Sequence, residues 1–166
     1  MSGQNNDNIY KIEDVANATL KGDMQRNVLD FVDYLRANDV MLDDSKNYFW
    51  NAVYKDKGLC VINISVSDEY GMCFDTFINN LPIAWKNSSD SAKIDERTKE
   101  IILANLRPHD PTCHGKCSPG SNKVIFGKIF DNLCSSFLGI YNPDTETVDC
   151  MKKIIGGLKA DIDNNT

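Results

Sequence analysis

The chain has 166 residues, 42% of them hydrophobic and 25% charged, with a net charge of −6 at pH 7 and an isoelectric point near 4.8. That surplus of acid repels a phosphate backbone, so nucleic acid is not an expected partner. No run of about 18 apolar residues is present to cross a membrane, and the polar start from Met1 to Asn8 has neither the basic nor the apolar region of a signal peptide.

The length suits one domain with a sizeable core. Residues 9–160 are expected to form it, with a disordered start over 1–8 and a polar tail over 161–166. Six cysteines without a secretion signal predict a cytoplasmic protein with reduced thiols.

In chain order, Asp23 is placed to cap a helix over Met24 to Asn38. Met24, Val28, Phe31, Val32 and Leu35 fall on one stripe at helical spacing, and Asp30, Asp33 and Arg36 lie off it. The period then changes to two. Residues 48–54, 59–66 and 72–78 read as three strands of an antiparallel meander, broken at Lys55-Asp56-Lys57-Gly58 and Ser67-Asp68-Glu69-Tyr70-Gly71. Setting Val66 opposite Met72 puts Ile64 opposite Phe74 and Cys60 opposite Ile78, and makes Cys60, Ile62, Ile64, Val66, Met72, Phe74 and Ile78 a core face. Cys73 then faces the other way. It lies roughly 17 Å from Cys60 at strand rise, well beyond the ~7 Å a disulfide allows.

The opposite face is expected to carry Trp50, Ala52, Tyr54, Leu59, Val61 and Phe77, an apolar set that needs a cover or lines a pocket. Residues 81–85 read as a loop and 87–90 as a turn. Asp90 is expected to cap a helix over Ser91 to Leu106, which Pro108 stops. Lys123 to Phe126 and Leu133 to Tyr141 read as strands. Gly127 suits a tight turn or bulge, and Asp131-Asn132 a side-chain-to-backbone turn. Asn142 and Pro143 look like the cap and first residue of a last helix that buries Val148, Met151, Ile154, Ile155 and Leu158. The sum is an α+β domain, an antiparallel sheet of about five strands with three helices.

The candidate chemistry is concentrated in His109-Asp110-Pro111-Thr112-Cys113-His114-Gly115-Lys116-Cys117-Ser118-Pro119-Gly120. A structural zinc site takes four thiolate or imidazole ligands. Cys113, Cys117 and Cys134 supply three. His109 is the better fourth, because His114 abuts Cys113 and neighbouring residues converge on one ion less easily. The paired CxxC units of strong zinc signatures are missing. Two other readings stay open: a reversible Cys113–Cys117 disulfide beside Lys116, and free thiols in an irregular loop. Cysteine catalysis by Cys113 with a histidine has only sequence adjacency behind it. No phosphate-loop, HExxH or EF-hand pattern is present.

The segment Lys123-Val124-Ile125-Phe126-Gly127-Lys128-Ile129-Phe130-Asp131-Asn132-Leu133-Cys134, with the Cys/Gly loop before it and Asn142-Pro143-Asp144 after it, resembles a group of small uncharacterised bacterial domains. Tyr10 to Val15 and Val28 to Ala37 are similar as well. The resemblance implies a small cytosolic α+β domain and supplies no activity. Three functions are therefore expected to compete. One is a non-catalytic domain whose Cys/His loop binds zinc or responds to redox. Another is a small-molecule binder or sensor with a pocket lined by Trp50, Tyr54, Phe77 and Trp85. The third is an enzyme whose chemistry has no visible base–nucleophile pair.

Overall fold

The computed structural model describes residues 10–43, 48–67, 71–86, 94–110 and 119–165. Among them, one seven-stranded antiparallel sheet meets five helices, which bears out the α+β class and enlarges both counts. The order is α1 (Ile12–Thr19), α2 (Gly22–Ala37), β1 (Met41–Asp43), β2 (Phe49–Tyr54), β3 (Lys57–Ser67), β4 (Gly71–Ile78), α3 (Ile83–Lys86), α4 (Glu96–Ala104), β5 (Leu106–Pro108), β6 (Ser121–Ile125), β7 (Lys128–Tyr141) and α5 (Thr145–Asn164). Three of the unforeseen elements, β1, α3 and β5, have three or four residues each, too few to display a period. The other, α1, buries Ile12, Val15 and Ala16 on one side but has no capping side chain to announce it.

The sheet order is β1-β2-β3-β4-β7-β5, with β6 also paired to β7. Within the β3–β4 hairpin the pairs are Cys60↔Ile78, Ile64↔Phe74 and Val66↔Met72, the expected register. On the face that carries these residues, Cys60, Ile62, Ile64, Phe74 and Ile78 join Val28, Phe31, Val32 and Leu35 of α2 and Val148, Met151, Ile154 and Ile155 of α5 in one core. Val66 departs from this pattern. It stands at the rim and is 73% exposed.

The face assigned to β2 needs correction. Lys55 and Asp56 both have positive φ (45° and 62°), which makes the β2–β3 connection a two-residue hairpin turn. The register then slips by one between Ala52 and Val53, with Val53 opposite Gly58 and Ala52 opposite Cys60. Leu59 is the extra residue of the bulge. One extra residue reverses the side to which every later side chain points. Trp50 and Ala52 therefore share the core face with Ile62 and Cys60, and both are fully buried. Val61 and Phe77 do sit on the opposite face, as expected.

The helix ends also differ from expectation. Asp23 lies inside the first turn of α2, paired with Arg26, and Lys21 holds the cap position. The α4 cap is Asp95, whose carboxylate accepts from Thr98 N at 2.8 Å; Asp90 lies outside the described residues. Leu106 and Pro108 belong to β5 rather than to a helix and its stop. The α5 cap is Asp144, accepting from Thr147 N at 2.8 Å. Asn142 instead has φ +45° and bonds β4: its Oδ1 accepts from Phe74 N at 2.9 Å. Residues 161–164, read as tail, continue α5, and Asp161 Oδ2 accepts from Ile83 N at 2.6 Å.

The Asp144 cap gives a pH-dependent expectation. Bonds from Thr147, side chain first and backbone N–H second, hold the Asp144 carboxyl below the usual carboxylate range. A depressed acid stabilises the fold above its unfolded pKa, and that contribution is lost as pH falls through the folded value. Asp144→Ala should cost about 1 kcal/mol at pH 7. The gap to the parent protein should narrow below pH 4 in urea melts. A constant gap down to the acid transition would remove the cap from this account.

Candidate functional site

The described part of the Cys/His loop is its base. Pro108 of β5 pairs with Leu133 of β7. One residue on, His109 N donates to Asn132 O at 2.7 Å, and Asn132 Nδ2 donates back to His109 O at 3.4 Å. Asn132 lies inside β7 rather than in a turn. Its φ is +54°, where the β6–β7 register shifts, and asparagine tolerates that conformation better than most residues. Its own N–H donates to Asn122 Oδ1 at 3.3 Å.

The two ends of the loop are held against each other. A Cβ built on Gly120 would lie 2.6 Å from His109 Cβ and 2.1 Å from Asn132 Oδ1, so only glycine admits this approach. Cys134, two residues past Asn132, turns its thiol to the same place: Sγ donates to Pro108 O at 3.5 Å. It is buried yet stands apart from the main apolar core. The half-buried His109 keeps a buried Nδ1 without a hydrogen-bond partner among the described residues. An unmatched buried nitrogen costs about 1–3 kcal/mol unless something fills its lone pair or takes its proton.

His109 and Cys134 are thus brought together at the base of one loop. Cys113, His114 and Cys117 lie outside the described residues. Among the described residues no three of His, Cys, Asp and Glu form a metal-holding group. The base contributes two candidate ligands, and the segment between His109 and Gly120 contains the other two.

The remaining cysteines have ordinary structural surroundings. Burial pushes the Cys60 thiol up to about 12. Burial does the same at Cys150, whose Sγ lies 3.9 Å from Thr98 O. Cys73 is buried opposite Ser65, with its Sγ 3.6 Å from Gly71 O. All three are free, and Cys60 and Cys73 fall on opposite faces of the sheet, as expected. Thiols so placed are poor nucleophiles and poor metal ligands.

The aromatic quartet does not assemble. Trp50 is sealed in the core with Nε1 donating to Tyr10 O at 3.0 Å. Phe77 is on the other face, where the Arg107 guanidinium lies 4.9 Å above its ring and Tyr141 meets it edge-on at 5.9 Å. Tyr54 sits at the end of β2, its hydroxyl donating to Asp163 Oδ1 at 2.9 Å. Trp85 packs against the core from α3, and its carbonyl accepts from Phe126 N at 3.0 Å. Two of the four are on opposite sides of a sheet, so they cannot line one pocket.

A polar group escaped the sequence reading. Asn63, Asp75 and Tyr141 stand in one row across β3, β4 and β7, on the face away from Ile62 and Phe74. Burial pushes the Asp75 carboxyl up, and a bond from the Asn63 side chain pulls it part of the way back. The readable sign was a carboxylate in the middle of the apolar run from Met72 to Ile78. Comparison with protein-family models, curated proteins and solved structures finds no match to this chain.

Proposed function

We propose that this is a non-catalytic domain whose loop binds one zinc ion through Cys113, Cys117, Cys134 and His109. What supports the reading is the convergence at the loop base. The pairing of β5 with β7 sets His109 against Asn132 and the Cys134 thiol against Pro108, Gly120 closes the loop onto His109, and the buried His109 Nδ1 has no hydrogen-bond partner among the described residues. The sequence then supplies Cys113 and Cys117 four and eight residues beyond His109. Three thiolates and one imidazole are a standard structural zinc set. Such an ion would cross-link the loop to β7 and supply folding free energy. A cytoplasmic setting and the likeness of residues 123–134 to small bacterial domains belong to the same proposal.

Metal analysis tests it. Protein expressed with zinc should purify with about one zinc per chain, held by three sulfurs at ~2.3 Å and one nitrogen at ~2.0–2.1 Å. Cys113→Ser and Cys134→Ser should each lose it, and Cys60→Ser should keep it. A chelator should lower the melting temperature, because a ligand of the folded state alone adds its binding free energy to stability. Protein that stays metal-free with zinc in excess, and melts unchanged in chelator, overturns the proposal.

A further inference from the structure

A second feature lies at the opposite side of the sheet, three strands from the Cys/His loop in the order β2-β3-β4-β7-β5. β2 begins at Phe49, opposite Asn63, and the last bond across is Ile64 N to Tyr48 O at 3.1 Å. β3 continues past it to Ser67, where among the described residues it pairs with β4. Where the neighbour stops, a cavity of about 360 Å³ opens, walled by Val15 of α1, Tyr48, Phe49, Val66 and Met72.

We infer that this cavity binds one small, uncharged, largely aromatic molecule. Four observations carry the inference. Every described residue lining the cavity is uncharged, so none of them offsets the desolvation of an ionic ligand. Its volume is within the ~300–1,000 Å³ range of small-molecule sites. Tyr48, Phe49 and Val66 are 43%, 44% and 73% exposed around this one opening. That is apolar surface a ligand would remove from water, at about 25 cal/mol per Å².

Tyr48 is also held at φ +61°, a conformation that costs a bulky side chain and is retained where the surroundings impose it. Its ring stacks on Tyr10 at 5.5 Å and 24°, forming an aromatic wall. With no charged side chain among its described lining residues, the cavity selects a neutral ring compound over its anion.

The probe is N-phenyl-1-naphthylamine, a neutral fluorophore with one N–H, titrated into the full chain. Its emission should rise and saturate at about one site per chain. Val66→Asp and Phe49→Ser alter exposed side chains and should fold, as circular dichroism checks. Each should weaken binding about tenfold or more, equivalent to ~1.4 kcal/mol. Indole should displace the probe, while the anion indole-3-acetate should compete at least fivefold less well. Emission that does not saturate, or binding equal in folded Val66→Asp and Phe49→Ser, overturns the site. Equal competition by indole and indole-3-acetate overturns the ligand class. Because the readout is independent of zinc content, the result stands whether or not the loop binds metal.

Discussion

Trp50→Ala is expected to destabilise the fold by about 3–5 kcal/mol, the range for deleting a fully buried large aromatic. In a domain of this length that lowers the melting temperature by about 10 °C. Trp50 is sealed against Ile62 and the helices, so removing the indole leaves a cavity that a strand cannot close by moving. It also removes the bond from Nε1 to the Tyr10 carbonyl, 3.0 Å long. Trp85→Ala is the control. That ring is half-buried at the edge of the core, and the short helix carrying it can shift, so the cost should be about half as large. Equal losses in chemical denaturation would mean that Trp50 is not on the core face. The bulge at Ala52 and Val53 would then have been misplaced.

The second large effect is expected at two adjacent glycines in α5 that look equivalent in sequence. A Cβ on Gly157 would lie 2.4 Å from Pro82 Cγ and 2.9 Å from Pro82 Cβ. A proline ring cannot swing aside, so the helix or the 81–83 segment must move. Helix propensity favours alanine over glycine by about 0.5–1 kcal/mol and valine by less, but overpacking costs about 1–3 kcal/mol. The clash should prevail, and Gly157→Val should lose about 3 kcal/mol. At Gly156 the nearest atom is Tyr34 Oη at 3.1 Å, the far end of a side chain that can adjust. Gly156→Ala should therefore be neutral or slightly stabilising. Both follow from urea midpoints; a neutral Gly157→Val would mean that α5 does not pack on Pro82.

Local pattern determined a good deal of this protein. The stripe on α2, the buried side of α5 and the whole β3–β4 register were legible, because each depends on a period of 3.6 or 2 within one stretch of chain. Cys60 and Cys73 were correctly kept apart for the same reason. Helix starts were less legible. Asp90 and Asn142 had the right chemistry for caps, yet Asp95 and Asp144 do the work, since a cap is chosen by where the chain can turn.

The tertiary structure decided the rest. A single extra residue in the β2–β3 hairpin moved Trp50 from an imagined pocket into the core, and no period in the sequence marks that bulge. The placement of β7 between β4 and β5 brings His109, in sequence 25 residues before Cys134, to the same loop base. The cavity beside Tyr48 lies where β3 runs on past the start of β2 among the described residues. Each is a long-range outcome of pairing and packing, in which the free energy of burying a shared core overrides local preference.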